Sequence, residues 1–412
     1  MLNKIFKSYQ LVKKDILNVI CAQFCLNLIN TSFILIFNIY LAKRGLSDAV
    51  IADITSYRFL GVLCCAFPLG FYIKGKALRP FFFYAAYGMP VIAFFTLYAA
   101  KYQYILMLQT TSFLMGICFS CIQIVALPFI VRNTEPSQQP EAISLLHATF
   151  SFSMVICSLL IFVFGNIPNV NEQNILVAFT TMGFLSIYFI SRIDQNEYIP
   201  EVKANGNTHT DWAVVFKALF PRIVIAIGAG LTIPYMNLFF YSVHGLDYDS
   251  FSLLNFFTAS FVAVAVVYVP EVRRKYGLHT SIISTQSAAV MALTALALTD
   301  VLNIPFAMYV AFFCFVVRQP LMNMAGPMTA HLTMEYVGEK NQEITSALAA
   351  ATWSGSWFLS GKMFKYLRTY ELSYGYIFLI TAALYIVGVI SYHILILHFE
   401  KRTLSLSPAV AT

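Results

Sequence analysis

Two arginines, Arg58 and Arg318, fall well inside long apolar stretches of this 412-residue chain. A guanidinium at the middle of a lipid-spanning helix costs ~2.5–3.5 kcal/mol unless something compensates. Its planar fork of donors matches a carboxylate or a phosphate. Each arginine therefore reads in one of two ways: as a recognition group for an anionic solute, or as a structural cation in an internal pair or a water-filled crevice. Arg58 has Asp53 or a tyrosine as its expected partner, and Arg318 is followed by Gln319 and Asn323. Gln23, Asn27, Asn30 and Asn38 recur in steps that place them on one face of the first apolar helix. Such amides either line a cavity or hydrogen-bond neighbouring helices. Gln109, Ser112, Gly116, Ser120 and Gln123 repeat the device on the fourth apolar stretch. There the small residues suit close helix packing, and Gln123 is the candidate for solute contact.

Trp353 and Trp357 stand four apart in TSALAAATWSGSWFLSG. They can stack on a ring-shaped or lipophilic solute, or pack into a neighbouring helix. Pro128, Pro234, Pro320 and Pro327 fall near the centres of apolar stretches, where freed carbonyls can face a cavity. Proton coupling has two candidates. Asp53 is a carboxylate within a span, and His147 either titrates near neutral pH or sits buried, neutral and hydrogen-bonded. A facilitator with no coupling ion is the alternative. No metal site or cofactor is expected. The eight cysteines all lie in apolar runs, so Cys118-x-x-Cys121 reads as helix packing rather than as a metal motif. The run from Gly355 to Lys362 lacks the spacing and the hydroxyl residue of a phosphate loop, and no catalytic set converges, so no enzyme is expected.

The elements that must position these residues follow from composition. Hydrophobic residues make up 59% of the chain and charged residues 11%, against ~25% charged in soluble domains. A span needs ~20 apolar residues. Twelve stretches qualify: 16–42, 49–73, 80–100, 103–131, 142–165, 174–191, 216–242, 249–269, 279–300, 304–331, 344–367 and 373–398. The polar segment RIDQNEYIPEVKANGNTHTDW separates them into two sets of six. The predicted architecture is an all-α polytopic membrane protein with a six-helix bundle over 1–191, a cytoplasmic linker over 192–213 and a second bundle over 214–412. With the N-terminus inside, 18 of the Lys and Arg residues fall on the inner side and 6 on the outer. That asymmetry puts both termini in the cytoplasm. The net charge of +7 is accounted for by inner loops facing anionic lipid, with no nucleic-acid partner.

The two halves repeat a pattern in the same order. Asn38-Ile39-Tyr40, Gly45-Leu46, Pro68 and Gly75 are echoed by Asn237-Leu238-Phe239, Gly245-Leu246, Pro270 and Gly277. Further on, Ala126-Leu127-Pro128 matches Ala325-Gly326-Pro327, and Glu141 to Ser144 matches Glu343 to Ser346. Two similar membrane-embedded halves imply rocking about a site between them, which moves a solute across the bilayer.

Twelve spans, a central linker and a parallel repeat together resemble the major facilitator superfamily, over nearly the whole chain. The family's loop between spans two and three reads Gly-x-x-x-Asp-Arg/Lys-x-Gly-Arg/Lys-Arg/Lys. Here Gly70-Phe-Tyr-Ile-Lys74-Gly75-Lys76-Ala77-Leu78-Arg79 keeps Gly70 and Arg79 but has Lys74 in place of the acid. The second copy, from Pro270 to Gly277, is degenerate and basic. The segments from Gly228 and from Arg318 resemble the seventh and tenth spans of bacterial branches. The resemblance implies that spans 1, 4, 7 and 10 surround a central cavity, which adds Tyr235, Asn237, Arg318 and Asn323 as lining candidates. It also implies a secondary transporter of the inner (plasma) membrane, monomeric, carrying a small organic solute by alternating access. Alternatives are export of drugs or lipophilic compounds, and a non-transporting receptor or scaffold on the same fold. The drug–proton antiporter pattern is weak, because span four has no internal arginine and span five has no Gly-Pro.

Overall fold

In hydrocarbon a backbone has no water to bond, so each crossing segment must satisfy its own N–H and C=O groups as a helix. The computed structural model describes residues 13–73, 76–135, 138–193, 211–302, 305–338 and 341–406. Most of the linker 192–213, and Lys74, lie outside the described residues. Within them no strand occurs, and the helices correspond to the twelve apolar stretches. They are α1 (Lys14–Lys43), α2 (Asp48–Tyr72), α3 (Arg79–Tyr102), α4 (Ile105–Asn133), α5 (Gln139–Gly165) and α6 (Glu172–Ser191), followed by α7 (Trp212–His244), α8 (Tyr248–Val267), α9 (Val269–Val301), α10 (Ala307–Val337), α11 (Gln342–Thr369) and α12 (Tyr374–Leu406). Eleven of them are long and apolar enough to cross a bilayer; α11, with its Ser-rich middle and Lys362, Lys365 and Arg368 near its end, falls short on composition.

The repeated Gly-Leu pair has a structural meaning. Gly45 and Gly245 take positive φ, 85° and 68°, and end α1 and α7. The Leu46 amide then bonds back to the Leu41 carbonyl, and the Leu246 amide to that of Phe240. This is a left-handed helix cap, which a Cβ would strain. Local departures from α geometry also have local causes. Pro234 leaves α7 with a 3-10 turn over Ile233–Tyr235, and Gly277 breaks the helical path inside α9. In α1, Phe33–Phe37 widens into a π-helical turn.

The chain divides into two compact units. The first comprises Met1–Ala204 with Phe240–Phe256, and the second Asn205–Phe239 with Phe257–Thr412. In the first, α1 is the enclosed element: from Cys25 to Leu41 every side chain except Ile34 is buried. It packs on α5 and α6, while α3 packs on α4 and α6. In the second, α7 packs on α11 and α12, and α9 on α10 and α12. The same pairing thus recurs six helices later. The exception is the extensive contact of α2 with α4, which α8 and α10 do not reproduce.

Phe240–Phe256 belongs to the first unit for polar reasons. Asp247 Oδ2 lies 2.6 Å from Lys43 Nζ, and Lys43 also pairs with Glu172. Lys43 sits 4.9 Å from the centre of the Tyr248 ring. The Asn255 amide donates to Ser158 Oγ at 2.9 Å.

Candidate functional site

Within the first unit, the amides of α1 are paired across helices. Asn27 Nδ2 donates to Thr149 Oγ1 of α5 at 3.1 Å, and Asn38 Oδ1 accepts from Thr55 Oγ1 of α2 at 3.3 Å. Asn27, Asn30 and Asn38 are all buried. Asn27 and Asn38 thus meet different neighbours, α5 and α2. Gln23 keeps a buried Oε1 with no hydrogen-bond partner.

On α2, Asp53 is buried and accepts from Gln109 Nε2 of α4 at 2.9 Å. Arg58 does not reach Asp53 or a tyrosine, contrary to the sequence expectation. Its guanidinium lies 6.0 Å from the centre of the Phe119 ring. Five helical residues turn ~140° past a full circle, so Asp53 and Arg58 leave α2 on different sides. Ser112, Gly116 and Ser120 serve packing: a Cβ at Gly116 would stand 2.1 Å from the Arg58 carbonyl oxygen. Gln123 is exposed on the same helix. His147 is exposed on α5 rather than buried, because its neighbours Leu146 and Thr149 occupy the packed face. Near the end of α2 Gly70 is partly exposed, and at the start of α3 Arg79 packs over Phe83, 5.4 Å from its ring centre. Arg132 of α4 donates to the Ile73 and Lys76 carbonyls at 3.0 and 2.9 Å. A cation there suits the negative end of α2.

In the second unit Arg318 of α10 is 1% exposed. Its Nη2 donates to Tyr385 Oη of α12 at 3.2 Å and its Nη1 to Gln319 Oε1 at 3.5 Å, while its Nε has no partner. Among the described residues no carboxylate pairs with it. Asn323 is exposed and donates to the Gln319 carbonyl. Tyr235 and Asn237 are buried. Tyr235 stacks on Phe364 at 3.8 Å between ring centres, and Asn237 Oδ1 accepts from the Leu238 amide. Trp353 and Trp357 pack on each other, 5.4 Å apart.

Arg222 of α7 was not among the residues singled out from the sequence, although it lies inside the apolar stretch 216–242. It lies ~15 Å along the helix from Trp212, its guanidinium 5.9 Å from the centre of the Trp353 ring. Its Nε is buried and unpartnered, again with no carboxylate among the described residues. Tyr392 is buried and near enough to feel its charge. Tyr385 and Tyr392 are seven apart on α12 and so share a face, with Arg318 at one and Arg222 at the other. That spacing was present in the sequence as the signal that would have found them. Two guanidiniums of this unit thus lack a compensating acid among the described residues, a field that favours an anion.

A family model for the Major Facilitator Superfamily matches residues 19–361. No curated protein matches the sequence. Solved structures of the same fold include a bacterial homologue of the iron transporter ferroportin in an inward-facing state, at TM-score 0.75 and 11% identity, covering 92% of this chain and 98% of that one. They also include the nucleoside transporter NupG, at TM-score 0.71 and 13% identity over 92% and 99% of the two chains. A D-xylose–proton symporter matches at TM-score 0.66 and 13% identity over 92% and 95%. At such identities the likeness is one of fold. With the family match over most of the sequence and a helix at every apolar stretch, this chain belongs to the Major Facilitator Superfamily and is a multi-pass membrane transporter.

Proposed function

We propose that this transporter carries a small organic solute bearing an anionic group, as a monomer working by alternating access. Its halves over 1–191 and 214–412 move about the linker 192–213, in the inner membrane with both termini cytoplasmic. The observation that carries the solute class is the set of intramembrane guanidiniums, Arg318 and Arg222, that lack a carboxylate partner among the described residues. An unpaired buried cation is costly, and an anionic solute relieves that cost when it binds. Arg318 is enclosed by Tyr385 and Gln319, so it acts first through its field and is contacted as the packing around it parts. Arg222 is half-buried and directly reachable. Trp353, 37% exposed, offers a ring face beside it. Asp53 is the proton-coupling group in this reading, because it is buried and held by a neutral amide.

The test is a thermal-shift screen of organic carboxylates, phosphates and neutral analogues on purified protein, followed by counterflow in liposomes. Anions that stabilise the wild type, and fail to stabilise Arg318→Gln and Arg222→Gln, support the reading. Stabilisation and counterflow by neutral compounds alone overturn it.

A further inference from the structure

Four of the eight cysteines, Cys64, Cys65, Cys118 and Cys121, lie on α2 and α4, and the transport reading uses none of them. These two helices make the one extensive pairing that the second unit does not repeat. Their axes come together on glycine. A Cβ at Gly61 would stand 2.0 Å from the Phe113 carbonyl oxygen, and one at Gly116 2.1 Å from that of Arg58. Ordinary side-chain packing holds helix axes ~8–10 Å apart, and backbone resting on backbone brings them closer. The helices run parallel, as their bonds show: Asp53 with Gln109 near one end, the Ile73 carbonyl with Arg132 near the other. In that register the turn after Gly61 meets the turn after Gly116. Cys65 and Cys121 lie at those turns, close enough for their thiols to influence each other. All the cysteines are reduced, Cys65 is partly open and its neighbour Cys64 is exposed.

We propose that Cys65 and Cys121 form a dithiol that closes reversibly to a disulfide between α2 and α4 when a small-molecule disulfide or comparable thiol oxidant reaches it. A disulfide needs Cα atoms within ~7 Å, and the backbone-on-backbone crossing at Gly61 and Gly116 brings the two helices close beside this pair. The chemistry is thiol–disulfide exchange. One cysteine sulfur attacks the reagent disulfide and expels the first thiol. The second cysteine sulfur then attacks the mixed disulfide and expels the other. The S–S bond of the reagent breaks and that of the protein forms. Two electrons pass to the reagent, and both cysteine protons end on its two thiols. Closure ties α2, which carries Asp53 and Arg58, to α4, which carries Gln109, at a point between their two existing polar links.

The experiment treats the full-length protein in detergent with 4,4′-dipyridyl disulfide, alkylates remaining thiols and maps the peptides by mass spectrometry. The expected result is a Cys65–Cys121 cross-link that dithiothreitol reverses, retained in Cys118→Ser and lost in Cys65→Ser and in Cys121→Ser. Conversion of exposed Cys64 to its pyridyl adduct shows that reagent reached this helix. A cross-link that maps instead to Cys118 overturns the proposal. So does recovery of Cys65 and Cys121 as separate adducts or free thiols while Cys64 is fully converted. The wild-type map stands by itself if a serine variant fails to fold.

Discussion

At the scale of single residues, the polar side chains inside the helices divide into those that are paired and those that are not. Asn27 with Thr149 and Asp53 with Gln109 are satisfied cross-helix bonds. Replacing Asn27 by Ala leaves the Thr149 hydroxyl without its donor, and should cost ~1 kcal/mol, read as a lower melting temperature. Arg318 has the opposite signature. It is enclosed with no acid partner among the described residues, and its Nε has no partner. Arg318→Gln should therefore leave the melting temperature unchanged or raised, while solute binding falls at least ~10-fold, the equivalent of ~1.4 kcal/mol. A large loss of stability with binding intact would instead assign Arg318 a purely structural part. Arg222 and Arg318 also show where reading residues in order falls short. Arg318 stood out because its flanks are apolar on both sides, whereas Arg222 follows Lys217 and Pro221 near the start of its stretch and was counted only with the inner-side cations. Pro221 lies inside the helix and does not end it.

At the scale of elements, glycine contacts and one ion cluster decide which helices are held fast. Gly116→Val puts side-chain carbons into the Arg58 carbonyl and should destabilise by ~1–3 kcal/mol or more through overpacking. Gly326→Ala is the control, because nothing lies within 4 Å of its added Cβ. Equal effects from both on thermal unfolding would remove the claim that α2 and α4 rest backbone on backbone. At the end of α1, Lys43 neutralises Glu172, whose side chain is 10% exposed. Lys43→Ala should lower stability by ~1–3 kcal/mol, the cost of a buried group left unsatisfied, and Glu172→Gln in the same protein should restore part of it. The existence of every helix was legible as a run of apolar residues, and the Gly-Leu caps of α1 and α7 were legible as a repeat. The π turn in α1 was not. It lies at Phe33–Phe37, between Asn30 and Asn38, and no composition signal marks it.

At the scale of the whole molecule, the prediction concerns flux. A transporter in liposomes should exchange labelled solute across a sealed membrane, and a receptor on the same fold should bind without exchange; counterflow measured with the best ligand of the anion screen separates the two. Amino-acid order alone determined that the chain lives in lipid, that it has twelve apolar stretches, and that two sets of six repeat one pattern. Those features depend on mean hydropathy and on residue identity along the chain, which need no partner. Tertiary structure decided which side of each helix is covered. It paired Asn27 with Thr149, parted Arg58 from Asp53, left Gln123, Asn323 and His147 exposed, and set Arg222 beside Trp353. The physical reason is that a helix surrounded by lipid is apolar all round. The amphipathic stripe that marks the buried face of a soluble helix is therefore weak here, and only contact between helices selects the face.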